Sequence, residues 1–367
     1  MDVLKPRLLI TRGFRFRVNR SAEPQGASYE HDEVENIDDF YSKEDLDLDE
    51  NNGNYDVEVK QVYDGKYEAR VPVPSVMLGS VVGKKGVTKQ RIEKETQCQL
   101  RVPKPGAEGD VVITSSEKSN VLAAGRRLLM LVETSRHKLK FTHFVSLPLS
   151  GSEALFSRVL DFQEAVRKCY LPEKIDERLF LNMRKMHLTV LVLTLLDDRE
   201  RQLAMDLLHE CFSKKIRPML ADENGIRVRL KGLEIMNDDW SQVQVVYAKL
   251  EPTLDSLGRD VIQEMADAIQ NHFEGSGLAP ESRCAHVKLH FSVMNSKKLA
   301  KEMTTQQDSS WKPRLNDMKL FDAKPIYENL LDFDFGEVLI SHIHLSILHT
   351  VGEDGYYRPS LTVPIKP

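Results

Sequence analysis

The pattern of apolar and polar positions is most regular between residues 67 and 134. Strict alternation predicts strands, and apolar positions three to four residues apart predict amphipathic helices. In the order strand, helix, helix, strand, strand, helix, the predicted elements are residues 67–73, 75–82, 87–96, 97–102, 110–114 and 118–134. This βααββα order indicates a small α+β domain.

A longer mixed pattern runs from residue 141 towards the C-terminus. Its predicted strands are residues 141–149, 185–193, 225–236, 242–250, 286–294 and 338–349. Its predicted helices are residues 153–168, 200–212, 257–273 and 326–331. Because strands and helices alternate twice, we expect a bilobal α+β domain made of two similar halves.

Charge is distributed unevenly along the chain and changes this picture at its N-terminal end. Residues 1–56 carry 7 Lys and Arg against 14 Asp and Glu, whereas residues 57–140 carry 16 against 9. The acidic segment is too polar to offset its ordering entropy, so residues 1–56 are predicted to be a largely disordered arm. Whether it is a solvated tail or docks a partner stays open. Only residues 57–140 suit a polyanionic partner.

Membrane association and secretion are not expected. The longest apolar runs, such as residues 188–196, are far shorter than the ~20 residues that a membrane helix needs. The N-terminal segment also lacks the pattern of a signal peptide, which predicts an intracellular protein.

A glycine-flanked turn, Gly83-Lys84-Lys85-Gly86, lies between the first two predicted helices of the basic segment. Glycine permits a positive φ and a close approach of another backbone. The following helix directs its N-terminal amides and positive dipole end towards whatever lies at the turn. Lys84 and Lys85 add two positive charges there. A phosphate backbone therefore fits this turn, although a plain helix connection with incidental lysines is the alternative.

Residues 81–92 in this element order resemble the KH domain, whose GxxG loop clamps a short single-stranded stretch of nucleic acid. The resemblance implies a type I KH domain over residues 57–137 and single-stranded RNA as a partner. It also implies a groove between the loop side of the helices and the strand 97–102. The RNA-binding residues expected from it are Gly83, Lys84, Lys85, Gly86, Lys89, Arg91 and Arg101.

Two histidines in the C-terminal region are each followed two residues later by a hydroxyl side chain. His187 precedes Thr189 in MHLTVLV, and His290 precedes Ser292 in LHFSVM, 103 residues further on. On a strand, residues two apart project from the same face. Imidazole gives or takes a proton near neutral pH. Two histidines flanking one phosphodiester would therefore serve as base and acid, whereas a single one would more often be structural.

This H-x-[ST] repeat resembles the two-histidine phosphoesterases, the superfamily of the 2′-5′ RNA ligase-like proteins. The resemblance implies such a domain over residues 138–367. It also implies action on 2′,3′-cyclic phosphates or 2′-5′ linkages in RNA, with neither a metal nor another cofactor. The catalytic residues expected from it are His187, Thr189, His290 and Ser292.

Further side chains are candidates for contacts with a substrate. Lys185 and Lys288 each lie two residues before a histidine of the motif, and His286 is expected on the same strand face as His290. His344, in the sequence HIHLS, also fits H-x-S and is expected on a strand that borders the same cleft. Tyr356 and Tyr357 could cover the site, although packing is the plainer reading.

Two functions of different classes follow. One is an RNA phosphodiesterase with a KH module, and the alternative is a non-catalytic RNA-binding adaptor whose cleft only recognises phosphate. A KH module before a two-histidine domain further resembles a family of transcription cointegrator subunits. That resemblance implies a helicase and other complex subunits as partners, nuclear localisation, and work in transcription or alkylation repair.

Overall fold

A computed structural model describes most of the chain after residue 56. The described residues are 8–11, 14–17, 57–62, 65–104, 107, 109–136, 139–220, 225–280, 284–297, 299 and 320–365. Within the first 56 residues, β1 (Leu8–Thr11) pairs antiparallel with β2 (Phe14–Arg17). The rest of the acidic arm lies outside the described residues, so its disorder stays a prediction.

The basic segment folds into a four-stranded antiparallel sheet covered by helices. Its elements are β3 (Val59–Gln61), β4 (Tyr67–Pro72), α1 (Leu78–Val82), α2 (Val87–Thr96), β5 (Gln99–Arg101), β6 (Asp110–Ser115) and α3 (Lys118–Arg136). The strand order is β3-β4-β6-β5. Val81, Ile92, Ile113 and Leu128 are at most 1% exposed in the core between the helices and the sheet. The βααββα order is confirmed, and the sequence analysis missed β3.

The C-terminal region contains two four-stranded sheets. Its elements are β7 (His143–Pro148), α4 (Glu153–Cys169), β8 (His187–Leu193), α5 (Asp198–Cys211), β9 (Ile226–Ile235), β10 (Val245–Glu251), α6 (Val261–Phe273), β11 (Phe291–Asn295), α7 (Lys324–Leu330), β12 (Asp334–Ile340), β13 (His342–Ile347) and β14 (Pro359–Pro364). One sheet has the order β14-β13-β7-β8 and the other β11-β10-β9-β12. One hydrophobic core joins residues of both sheets. The α+β fold is therefore confirmed.

The two sheets repeat one connection. In the first, β7 leads through α4 to its antiparallel neighbour β8, and in the second, β10 leads through α6 to its antiparallel neighbour β11. Because β8 and β11 each pair with a single strand, both are edge strands. The two halves of the predicted repeat therefore end on equivalent edges.

Three sequence predictions about strands were wrong in detail. The segment 338–349 is not one strand, because Ser341 separates β12 from β13 and the two belong to different sheets. The strand expected at residues 286–294 begins only at Phe291. The strand expected at residues 185–193 begins at His187, because Lys185 ends a short 3-10 turn. The strand β14 was not foreseen.

Contacts between the two regions involve the end of α3 and the start of α5. The Arg136 guanidinium donates to the Thr194 carbonyl at 2.6 Å and forms an ion pair with both oxygens of Glu200. Arg199 pairs with Asp110 at 2.8 Å. No helix in the described part of the chain is long and apolar enough to span a bilayer.

Candidate phosphodiester cleft and RNA groove

Both H-x-[ST] motifs line one cleft. His187 and Thr189 come from the start of the edge strand β8, and Ser292 comes from the edge strand β11 with His290 directly before it. The two strands are not hydrogen-bonded to each other, since each lies at the edge of a different sheet. Residues that are 103 positions apart therefore face one another because equivalent edges of the two halves border the same space.

The two histidines have matching hydrogen bonds. His187 Nδ1 lies 2.6 Å from the carbonyl oxygen of Lys185, and His290 Nδ1 lies 2.8 Å from that of Lys288. Because a carbonyl only accepts hydrogen bonds, Nδ1 carries the proton in both rings. In each neutral ring, Nε2 is therefore the basic nitrogen.

Local structure fixes the carbonyls that hold these rings. The Asn182 side chain accepts from the backbone N–H of Arg184 at 3.0 Å and caps the 3-10 turn that ends at Lys185. Before β11, Asp267 on α6 accepts from the backbone N–H of Val287 at 2.8 Å. Both histidines thus follow backbone that is tied down independently of the cleft.

Burial favours the neutral form of both rings. It lowers the pKa of His187 to about 4 and that of His290 to about 4, even though the Nδ1 hydrogen bonds act in the opposite direction. The positive charge of a protonated His187 also lowers the pKa of His290, which shows that the two rings are within electrostatic reach. A pair of neutral imidazoles can accept protons from a substrate but must gain one to act as an acid.

A lysine and a tyrosine accompany each histidine. Lys185 Nζ lies 4.8 Å from the Tyr357 ring centroid, and this ring packs edge-on to His187 at 5.7 Å. Lys288 Nζ lies 5.1 Å from the Tyr247 ring centroid, and this ring packs against His290 at 5.3 Å. Sequence reasoning missed Tyr247, because only its cross-strand pairing with Ser292 brings it to the motif.

The other candidate substrate contacts lie in different settings. Lys185 is buried and lines the cleft, whereas Lys288 is exposed. His286 is exposed and pairs through Nδ1 with Asp267 at 2.8 Å. His344 lies on β13, two strands from β8, where its ring packs against Tyr356 at 5.6 Å. The structure thus brings Lys185 to the cleft wall and leaves His286 and His344 off it.

The GxxG turn has the backbone that its glycines predict. Gly83 and Gly86 have φ of +73° and +80°, and Lys85 is itself left-handed at +55°. A Cβ on Gly83 would lie 2.1 Å from Thr88 Oγ1. Lys84 and Lys85 are exposed on the outside of the turn. The turn is therefore tight, with its charges directed to solvent.

A groove runs beside α2 and β5 in the same domain. Lys89 and Arg101 both line it, together with the carboxylates of Glu68 and Glu93. The Glu93 carboxylate accepts from the backbone N–H of Leu100 at 2.8 Å and so ties the helix to the edge strand. Arg91 is exposed on α2 outside this lining.

Comparisons with known proteins identify both domains. Residues 68–129 match the KH domain model, and residues 141–365 match the model described as the AKAP7 2′5′ RNA ligase-like domain. The activating signal cointegrator 1 complex subunit 1 of Mus musculus is 35% identical over 363 residues, covering 97% of this chain and 98% of the mouse protein. The chain therefore belongs to this family of cointegrator complex subunits, in which a KH domain precedes a 2′5′ RNA ligase-like domain.

Proposed function

We propose that this protein is an RNA-binding phosphodiesterase that acts on single-stranded RNA at a 2′,3′-cyclic phosphate end or a 2′-5′ linkage. The KH domain holds the strand through the GxxG turn and the groove beside it. The cleft between β8 and β11 carries out the hydrolysis. The observation that supports this most directly is that both histidines line one cleft with matching Nδ1 hydrogen bonds.

Hydrolysis needs one proton taken and one given. The Nε2 atom of one histidine takes a proton from water as the water oxygen bonds to phosphorus. The other histidine, protonated, gives its proton to the leaving oxygen as that P–O bond breaks. The charges then balance, and the two rings have exchanged roles. Either ring can start as the base, because their hydrogen bonds and pKa shifts match.

The substrate itself helps to charge the acid. Burial lowers the pKa of both rings to about 4. A phosphodiester anion in the cleft favours the imidazolium form and so raises the pKa of the adjacent ring. The hydroxyls of Thr189 and Ser292 line the cleft and donate to the non-bridging oxygens, where charge increases in the transition state.

The activity is tested with the full chain and RNA oligonucleotides that end in a 2′,3′-cyclic phosphate or contain one 2′-5′ linkage. EDTA is present throughout, because the proposal uses no metal. We expect His187→Ala and His290→Ala each to lower turnover by about 10²- to 10⁴-fold, the usual contribution of a general acid or base. The control is His209→Ala, which removes an exposed histidine of α5. Unchanged turnover in both cleft variants would refute the assignment.

The adaptor function is the second candidate, because a phosphate that raises the pKa of an adjacent imidazole can be held by the charged ring without any reaction. The same samples separate the two functions. An adaptor would retain oligonucleotides with a phosphate end and form no product, and the histidine variants would lose only this retention. Product formation that depends on both histidines supports the enzyme.

RNA binding by the KH domain needs its own test. Replacing Lys84 and Lys85 by Asp keeps both glycines and reverses two exposed charges, so RNA retention should be lost while the thermal unfolding temperature stays close to the wild type. The control is Lys118→Asp at the start of α3, an exposed lysine outside the turn and groove. Retention that survives the double change would place the RNA elsewhere.

We further propose that the protein works in the nucleus with a helicase subunit, in transcription or alkylation repair. The name of the Mus musculus relative supports membership of a cointegrator complex, and the helicase, the nucleus and repair are what the resemblance of the sequence to cointegrator subunits implies. Co-purification of tagged full-length chain from nuclear extract should recover a helicase in constant ratio. Recovery from the cytoplasmic fraction alone would contradict this.

A further inference from the structure

The tyrosines beside the two histidines reach equivalent places by different routes. On β10, Tyr247 is the cross-strand partner of Ser292. The equivalent position in the other half is Ser146 on β7, the cross-strand partner of Thr189. A serine there cannot reach His187 with an aromatic ring. On β7, Phe144 packs against His187 at 5.2 Å, but the tyrosine ring that contacts both His187 and Lys185 comes from another segment.

The segment between β13 and β14 supplies that ring. Tyr356 and Tyr357 are 1% and 2% exposed and pack on the sheet that contains β7 and β8. Tyr356 is anchored by a 2.9 Å hydrogen bond between its hydroxyl and that of Ser146. Tyr357 then packs edge-on to Phe144 at 4.9 Å and to His187 at 5.7 Å. The small side chain of Ser146 thus both makes the space and holds the segment that fills it.

Each ring has the same two neighbours in spite of this different origin. Each tyrosine ring packs against a motif histidine in a nearly perpendicular arrangement, which aromatic pairs favour. A lysine ammonium lies 4.8 Å from one ring centroid and 5.1 Å from the other, within the range of a cation–π interaction. The same lysine supplies the carbonyl that binds Nδ1 of the histidine. Lysine, histidine and tyrosine thus form one unit, present twice.

We propose that Tyr247 and Tyr357 are positioning residues, each of which orients one cleft histidine and holds one lysine ammonium where it attracts the phosphate charge. The inference rests on the proposed function, because it assumes that the cleft binds a phosphate group. It assigns a role to two residues outside the H-x-[ST] motifs. It also makes the segment between β13 and β14 part of the His187 half of the site.

The test uses the full chain with isotope-labelled histidine, followed by NMR as inorganic phosphate is added. Tyr357→Leu should change the signals of His187 and leave those of His290, and Tyr247→Leu should do the reverse. Tyr→Phe at either position keeps the ring and should leave both sets of signals close to the wild type. Tyr327→Leu is the matched control, because Tyr327 is a half-exposed ring packed on Trp240 at 5.1 Å.

Phosphate affinity then tests the lysine part of the proposal. Tyr357→Leu and Lys185→Met should each weaken phosphate binding by about 3- to 30-fold, the range expected from losing a cation–π-held ammonium. The double variant should lose less than the sum of the two single losses, since both changes act partly through the same ammonium. Tyr247→Leu and Lys288→Met should behave as a second such pair. If Tyr357→Leu fails to fold, the Tyr247 and Lys288 pair still decides the question.

The outcomes separate this inference from the proposed function. Leu variants with unchanged histidine signals, or Phe variants as impaired as Leu variants, would overturn the positioning role whether or not RNA is cleaved. If the histidine signals of the wild-type protein do not change when phosphate is added, the proposal that the cleft binds phosphate is instead refuted. Additive losses in the double variants would show that the tyrosines act without the lysines and overturn that part.

Discussion

At the scale of single residues, the two motif histidines combine burial with a fixed tautomer. A group that is neutral and buried in the folded chain costs stability when the unfolded chain can bind a proton and the folded chain cannot. Four histidines share this property, because burial lowers the pKa of each to about 4: His143, His187, His290 and His344. Their effect on stability has a definite sign.

The free energy of unfolding should fall as the pH decreases from about 6.5 to about 4. In this window the unfolded state, with a histidine pKa near 6.5, binds protons that the native state, with a pKa of about 4, does not. His290→Gln should remove about 2 kcal/mol of the loss between pH 7.5 and pH 5, as measured by urea unfolding at both pH values. His209→Gln controls for the removal of a histidine as such. A pH slope identical in His290→Gln and the wild type would contradict the prediction.

The two motif hydroxyls give a second prediction at this scale. Thr189→Val and Ser292→Ala remove one donor each with little change in volume, so kcat/KM for the cyclic-phosphate oligonucleotide should fall by about 10²-fold. Steady-state kinetics measure this. The control is Thr253→Val, a half-buried threonine whose hydroxyl donates to the backbone carbonyl of Arg227 away from the cleft. A fall in Thr253→Val as large as in the cleft variants would point to a loss of fold instead.

How far single residues could be predicted depended on their place in the chain. The four motif residues have a signal of their own, because the H-x-[ST] spacing is local and occurs twice. Tyr247 has none, since its approach to His290 depends on the pairing of β10 with β11. Spacing alone also could not separate His344 from the motif histidines, because H-x-S occurs at both places and only the sheet order puts β13 away from the cleft.

At the scale of elements, the two glycines of the GxxG turn are constrained in different ways. Gly83 combines φ of +73° with a neighbour, Thr88, that a Cβ would strike at 2.1 Å. Gly86 has φ of +80° but open space around the Cβ position. The first is constrained by conformation and packing, the second by conformation alone.

Gly83→Ala should therefore destabilise the KH domain more than Gly86→Ala. A left-handed alanine costs about 1–2 kcal/mol by itself, which is the expectation for Gly86→Ala. At Gly83 the ψ of 175°, in a region almost confined to glycine, and the clash with Thr88 should both add to this. Urea unfolding of the full chain, followed by a probe in the KH domain, measures both. Thr88→Ala combined with Gly83→Ala should recover part of the difference. Equal losses in the two single variants would show that Thr88 moves aside freely.

Element boundaries were predictable where the pattern and the cap coincide. The helix α4 begins at Glu153 as its sequence indicates, because Ser152 caps it by accepting from the Leu155 N–H at 3.2 Å. The boundary between β12 and β13 had no such signal. Two polar residues in succession, Ser341 and His342, shift the alternation there by one position, and the chain passes from one sheet to the other. Alternation shows which residues share a face of a strand, but it does not show which sheet the strand joins.

At the scale of the whole molecule, the contacts between the KH and 2′5′ RNA ligase-like regions include one largely buried and one more exposed ion pair. The Arg136 and Glu200 side chains are 14% and 12% exposed, and Glu200 also accepts from the backbone N–H of Leu196 at 2.7 Å. The Arg199 and Asp110 side chains are 63% and 30% exposed. The order of charged residues along the chain could not reveal this difference in exposure, because both arginines have polar neighbours in the sequence.

Removing one partner of the buried pair should be the more damaging change. Arg136→Met leaves the Glu200 carboxylate buried without its guanidinium, so the chain should lose about 3 kcal/mol of stability, and the two regions should no longer unfold together in calorimetry. Arg199→Met is the matched control, because an exposed pair contributes less than about 1 kcal/mol. Arg136→Met combined with Glu200→Gln should restore part of the loss, since no uncompensated charge then remains. Similar losses in the two arginine variants would show that burial of the Arg136 pair has no energetic consequence and that the regions are joined by other contacts.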